Sequence, residues 1–146
     1  MTMEIKNRSA YFDYFIDDKY IAGMVLTGTE VKSLRTGKSS FNDSFCLISK
    51  GEIFIRSLHI AEYSHGNINN HIPTRDRKLL LNKKEIRKIE SKLKEKGYTL
   101  IPLRIFFTEK NIAKLELGLA KGKKNFDKRE SIKAKDMDRE MKRFLK

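Results

Sequence analysis

Two stretches of the chain alternate apolar and polar side chains with a period of two. Ile101, Leu103, Ile105 and Phe107 would share one face of a strand, and Ala113, Leu115, Leu117 and Leu119 one face of the next. Between them, Glu109-Lys110-Asn111 has the composition of a hairpin loop. Residues 41–48 and 53–60 flank a Ser49-Lys50-Gly51-Glu52 turn and read as a second β-hairpin. Residues 20–26 form a mostly apolar run ended by Thr27-Gly28. Pro102 lacks a backbone donor, which predicts that its strand lies at a sheet edge or begins there.

Helix signals are fewer. Asn82 followed by Glu85 reads as a capping box, Ile86, Ile89 and Leu93 fall on one helical face, and Gly97 supplies a stop. Residues 29–35, between Gly28 and Gly37, predict a short helix, and the aromatic-rich residues 9–15 another. Five or six strands with a few short helices give a mainly β or α+β domain. A small closed barrel is the expected form, because closure removes exposed strand edges. Periodicity alone leaves an oligonucleotide-binding barrel and other small barrels equally open.

After Ala120 the alternation stops. Lys121-Gly122-Lys123-Lys124-Asn125 has loop composition, while Met137, Met141, Phe144 and Leu145 fall on one face of a helix whose other faces are basic. Such a helix, built from residues 131–146, is marginal alone in water. The chain therefore divides into a barrel domain, residues 1–120, and a basic tail, residues 121–146, expected to be disordered when free and helical when docked on something acidic.

Composition supports one core. With 146 residues, nine Phe and five Tyr, the first domain can fold without disulfide or metal. The single Cys46 cannot pair within the chain, sits beside Leu47 and Ile48, and reads as a buried structural thiol in a reducing cytosol. No apolar run approaches the ~20 residues of a membrane span, and residues 1–7 lack a signal-peptide pattern. A soluble, cytoplasmic monomer without a membrane partner is expected.

Charge changes the picture more. The formal net charge is +13, yet residues 1–74 carry eight basic and eight acidic side chains. Residues 75–96 carry ten basic against four acidic, and residues 121–146 eleven against five. Two short segments on a neutral scaffold hold almost all of the excess. Dispersed charge would serve solubility as well, so this clustering points to a polyanion, either nucleic acid or an anionic membrane surface.

Catalytic chemistry is not indicated. His59, His65 and His71 recur every six residues but match no common metal-ligand spacing and read as surface histidines. The stretches from Gly23 to Gly28 and from Gly118 to Gly122 match neither a P-loop nor a dinucleotide fingerprint. No enzyme activity, metal or cofactor is expected. What the sequence does carry is the residue set that meets RNA: cations for phosphates, small polar groups for 2′-hydroxyls and bases, and aromatic rings for stacking. Asn67, Asn69, Asn70, Arg75, Arg77 and Lys78 precede the basic helix, and Lys121, Lys123, Lys124, Phe126, Lys128 and Arg129 open the tail. Phe126 lies in a stretch too basic for a core and would serve either as a stacking platform or as a loose anchor.

Several stretches, taken in order, resemble the SsrA-binding protein (SmpB) family, RNA-binding partners of transfer-messenger RNA in bacterial trans-translation. They are Asn7-Arg8-Ser9-Ala10, Asp13-Tyr14-Phe15-Ile16, and the run Ala22-Gly23-Met24-Val25-Leu26-Thr27-Gly28-Thr29-Glu30-Val31-Lys32-Ser33-Leu34-Arg35. Thr74-Arg75-Asp76-Arg77-Lys78-Leu79-Leu80-Leu81-Asn82, Ala120-Lys121-Gly122-Lys123-Lys124 and Asp127-Lys128-Arg129 follow. The resemblance implies an oligonucleotide-binding-type (OB-like) barrel with flanking helices. It implies a non-catalytic adaptor whose body grips the tRNA-like domain of transfer-messenger RNA (tmRNA, SsrA). Its tail would fold in the empty mRNA channel near the decoding centre of a stalled ribosome, leading to ribosome rescue and peptide tagging. Elongation factor Tu and alanyl-tRNA synthetase would be indirect partners through the RNA.

Carried over by position, the resemblance implies body contacts at Glu30, Leu80 and Asn82; Asn7, Lys32, Arg75, Arg77 and Lys78, polar and basic side chains of the same stretches, complete the candidate body site. Glu30 would accept hydrogen bonds from base or 2′-hydroxyl donors; the alternative is a carboxylate paired with Lys32 or with a helix N-terminus. In the tail it implies Lys121, Gly122 as a pivot, Lys123, Lys124, Phe126 and the Asp127-Lys128-Arg129 motif. Many relatives carry His before that motif, where this chain has Phe126, so a ring survives for stacking but an imidazole hydrogen bond does not. Two other readings compete: a general ribosomal or RNA-chaperone protein, and a nuclease or RNA-modifying enzyme. The first leaves the Gly-Thr-Glu-Val-Lys and Asp-Lys-Arg stretches without a reason to coexist; the second needs an acid, base or metal cluster.

Overall fold

The computed structural model describes residues 4–66, 70–124 and 129. Its largest feature is the late hairpin, β8 (Tyr98–Phe107) and β9 (Ala113–Gly122), joined through a loop in which Asn111 takes a positive φ of 64°. On the inner face Ile105 lies opposite Leu115 and Phe107 opposite Ala113. The long strand β2 (Tyr14–Met24) pairs with the other side of β9, with Ala22 opposite Leu115 and Tyr20 opposite Leu117. The predicted hairpin is shorter than its apolar runs, β4 (Phe45–Ser49) and β5 (Glu52–Arg56). Its two-residue turn sets Lys50 and Gly51 at φ of 52° and 75°, the left-handed pair that a tight antiparallel connection requires.

Three strands escape the pattern analysis, β1 (Glu4–Lys6), β3 (Ser39–Ser40) and β7 (Arg77–Leu80), and the run over 53–60 breaks at Ser57, φ 61°, so that its end is a separate strand, β6 (His59–Ile60). Each has two to four residues, too few to establish an alternation. β3 and β6 form a separate two-stranded sheet; all other strands lie in one antiparallel sheet ordered β1-β8-β9-β2-β7-β5-β4.

The expected closed barrel is therefore not formed. The sheet curls until β4 nears β8, but β1 already occupies the far side of β8, with Glu4 opposite Phe106 and Lys6 opposite Arg104. β1 and β4 remain the two ends of an open sheet. The edge position expected for Pro102 is also corrected, since β8 lies between β1 and β9. The missing donor is tolerated because the register slips between Pro102 and Arg104, a bulge at which ladder pairing lapses. Likewise the strand pattern does not end at Ala120: Lys121 pairs with Phe15 and Gly122 with Tyr14.

The helices close the concave side. α2 (Gly28–Arg35) and α3 (Lys83–Leu93) bring Leu34 and Ile89 into a core with Ala22, Ile53, Ile55, Leu79, Leu115 and Leu117. Each fully buried aliphatic side chain there contributes roughly 1.5–3 kcal/mol. α3 carries the predicted capping box, Asn82 accepting from the Glu85 amide at 2.9 Å and Glu85 from the Asn82 amide at 3.4 Å. The helix expected over 9–15 shrinks to α1 (Ala10–Asp13), because Tyr14 already enters β2. α1 lies on the outer side, where Ala10, Ile101, Leu103 and Ala120 form a second, smaller cluster. Cys46 is buried in the main core, and burial pushes its thiol well above the ordinary range.

Candidate nucleic-acid interface

β7 sorts the basic segment into two sets. Strand alternation sends Arg77 and Leu79 to the core, opposite Ile55 and Ile53, and sends Lys78 and Leu80 to the outer face. A guanidinium in a core must have its donors met. Arg77 donates Nε to Glu30 Oε2, Nη1 to the Leu58 carbonyl, and Nη2 to the Pro73 carbonyl at 3.0 Å.

Glu30 is buried with it, and the N-terminus of α2 explains why. Thr27 accepts from the Glu30 amide at 3.4 Å, and Glu30 Oε1 accepts from the Thr27 amide at 2.8 Å, a complete capping box. The same Oε1 accepts from Arg75 Nη2 at 2.7 Å. Burial alone would push this carboxyl up. The hydrogen bonds from Arg75, the Thr27 amide and Arg77 together outweigh burial and hold it below the usual carboxylate range.

Glu30 and Arg77, both 0% exposed, thus present no atom outward. Both were expected at the surface; the structure places them in an interior ion pair. Of the alternatives for Glu30, the helix N-terminus holds and the Lys32 partner does not. Lys32 projects from the other side of α2, exposed, with Nζ 5.4 Å from the Tyr63 ring centroid. The Thr27-x-x-Glu30 spacing was the sequence signal for the cap; no local signal names two arginines 45 and 47 residues away.

What remains on the surface is a compact group. Arg75, its side chain 36% exposed, is anchored by Glu30 and by the Val25 carbonyl at 3.1 Å. Lys78 follows on the outer face, 3.0 Å from Glu52, and then Leu80, which is 52% exposed, with the cap residue Asn82 beyond it. Gly23 lies opposite Leu80; a Cβ there would stand 3.3 Å from the Leu80 Cβ and 3.7 Å from Lys114 Nζ, so glycine lets these side chains close over the strand. Cations beside an exposed Leu and a small amide are the means to meet RNA phosphates, bases and sugars together.

Other expected residues gather at the opposite end of β2. Asn7 is a structural pin: its amide donates to the Leu103 carbonyl and its side chain to the Pro102 carbonyl, both at 2.8 Å. Lys121 and Gly122 belong to β9, Lys121 Nζ standing 4.6 Å from the Tyr98 ring centroid. The Lys123 amide donates to the Asp13 carbonyl at 2.8 Å, and Lys124 and Arg129 are exposed. Asn67, Asn69, Phe126, Asp127 and Lys128 lie outside the described residues. Nearby stand Tyr11, Phe15 and Lys19, none of them among the expected site residues; the aromatic clustering over 9–15 was the signal for the two rings, and Lys19 had none.

The histidines do not gather. His71, expected at the surface, is 6% exposed; it stands 2.9 Å from Thr29 Oγ1 and 2.8 Å from the Ile60 carbonyl, tying α2 to β6. Among the described residues no group of three His, Cys, Asp or Glu is placed to hold a metal, and no helix is long and apolar enough to cross a membrane.

The family model described as SmpB protein matches residues 4–146. The chain belongs to the SmpB family. It is 56% identical over 145 residues to the SsrA-binding protein of Bacteroides thetaiotaomicron, covering 99% of this chain and 97% of that one. The SsrA-binding protein of Geobacter sulfurreducens is 57% identical over 140 residues, covering 96% and 91%. A solved chain described by the words "tmRNA-SmpB: a journey to the center of the bacterial ribosome" superposes with a TM-score of 0.71 at 46% identity, over 88% of this chain and 94% of that chain. Family and fold thus agree on a mainly antiparallel sheet with short helices.

Proposed function

We propose that this chain is a cytoplasmic RNA-binding adaptor of trans-translation. It binds the tRNA-like domain of transfer-messenger RNA and brings that RNA to stalled ribosomes, with no catalytic step of its own. The observation that carries the reading is the near full-length agreement with SsrA-binding proteins. The geometry supports it with one exposed group, Arg75, Lys78, Leu80 and Asn82, as the centre of the body contact. Lys32 flanks this group, while Glu30 and Arg77 hold it in place from within. Asn7 supports the outer-face wall beside β1. The curled sheet with capping helices has the character of an opened OB-like barrel. The tail, with Gly122 as pivot and Lys121, Lys123, Lys124, Phe126, Asp127, Lys128 and Arg129 near its root, takes the mRNA channel and the decoding centre. Elongation factor Tu and alanyl-tRNA synthetase meet the chain through the RNA.

Affinity capture of the full chain from cells, followed by sequencing of the bound RNA, tests the function. Transfer-messenger RNA is expected as the dominant species, enriched over ribosomal RNA; ribosomal RNA alone would favour a general ribosomal protein instead. A second measurement tests the body site. Aspartate caps a helix as well as asparagine, so Asn82→Asp leaves the thermal midpoint unchanged. Its added charge beside the RNA backbone nevertheless weakens binding, about tenfold for ~1.4 kcal/mol. Unchanged affinity removes Asn82 from the interface.

A further inference from the structure

The outer face of the sheet carries a second feature. Sheet register places Glu4, Phe106, Lys114, Gly23 and Leu80 in one row across five neighbouring strands. Lys6, Arg104, Glu116 and Ile21 form the row beside it. Leu80 and Lys6 are thus joined by one continuous surface, four inter-strand spacings or on the order of 20 Å wide. At the β1 end this surface deepens into a cleft of about 620 Å³ beneath α1, lined by Lys6, Arg8, Tyr11, Lys19 and Arg104. Its two carboxylates, Glu4 and Glu116, both bind Arg104, at 3.2 and 3.3 Å, and Arg104 lies 4.2 Å from the Phe106 ring centroid. Lys6, Arg8 and Lys19 make no ion pair among the described residues, and all three are exposed. Lys19 Nζ stands 5.3 Å from the centroid of Tyr11, whose residue is 51% exposed.

We infer that this cleft holds an unpaired nucleotide of the same RNA that the Leu80 and Asn82 edge binds, which rests on the function proposed above. The base stacks on Tyr11, and the flanking phosphates meet Lys6, Arg8 and Lys19. The volume falls within the range of sites that enclose small ligands. An aromatic ring with exposed cations around it is the arrangement that binds single-stranded RNA without reading its sequence. Charge selects the occupant: Lys6, Arg8, Lys19 and Arg104 against Glu4 and Glu116 leave the cleft at a formal +2, which favours an anionic chain. Continuity with the Leu80 row selects the RNA.

The test uses the full-length chain and the isolated tRNA-like RNA. Tyr11→Ala weakens binding roughly tenfold, as expected for one lost base stack, while Tyr11→Phe retains it. Replacing Lys6, Arg8 and Lys19 together by Ala lowers the slope of log affinity against log salt by about 2, at ~0.7 per single-strand phosphate. A photoreactive residue at position 11 crosslinks to an unpaired nucleotide of that RNA. Wild-type affinity and salt slope in these variants, with Leu80→Ala still weakening binding, overturn the cleft and leave the function standing. Absence of any crosslink from position 11 to that RNA, while the chain still binds it, also overturns the cleft. Failure of the unaltered chain to bind the RNA overturns both.

Discussion

Glu30→Ala should destabilise the domain by about 3–5 kcal/mol, the usual consequence of leaving a buried charge without its partner. That is a large share of the 5–15 kcal/mol typical of a domain. The substitution strands the enclosed Arg77 guanidinium, opens the α2 cap and releases Arg75. Urea denaturation followed by circular dichroism measures the loss; a change under about 1 kcal/mol, the scale of surface pairs, would show that the pair carries no such weight. Glu30→Ala combined with Arg77→Met should recover part of it, since no unpaired charge is then buried.

The sign of the pH dependence is fixed by the same group. The folded carboxyl lies below its unfolded value, so its contribution is fully present above about pH 4.3. It is lost as pH falls through the folded pKa. Glu30→Gln should therefore flatten the acid limb of the stability profile. RNA affinity should fall with these substitutions although Glu30 is buried, because Arg75 and the start of β7 lose their anchor.

Removing residues 125–146 should abolish peptide tagging on stalled ribosomes while leaving tRNA-like RNA binding close to that of the full chain. The cut belongs after Lys124 rather than after Ala120. Lys121 and Gly122 complete the β2–β9 ladder and the Lys123 amide bonds to the Asp13 carbonyl, so the shorter cut also unravels folded sheet. Tagging assays on stalled ribosomes, paired with RNA-binding measurements, separate the two activities. Equal loss of both would end the division between a body that holds RNA and a tail that works on the ribosome.

The late hairpin and α3 were legible because their signals are local: alternation over seven residues, 101–107 and 113–119, and a capping box three residues apart. The bulge between Pro102 and Arg104 nevertheless splits the first run, sending Ile101 and Leu103 to the outer cluster and Ile105 and Phe107 to the main core. The surface position of Lys78, Leu80 and Asn82 was legible, in a stretch that resemblance and charge both marked. Glu30 and Arg77 were misplaced because charge predicts exposure, and only an acceptor set drawn from α2 and the carbonyls of Leu58 and Pro73 makes burial of that arginine tolerable. Tyr11 and Lys19 went unseen because a four-residue helix has to fold back over a strand before they become neighbours.

By itself, then, the sequence determined the family, the β-rich class, the longest strand pair, the capped basic helix and the concentration of positive charge in two segments. Only the tertiary structure decided that the sheet stays open, that half of the β7 charge faces inward, and that the outer face runs unbroken from Leu80 to Lys6. The physical reason is range. Periodicity, caps and net charge act between residues near in sequence, whereas edge occupancy, the partners of a buried ion and the shape of a surface depend on strands brought together from far apart in the chain.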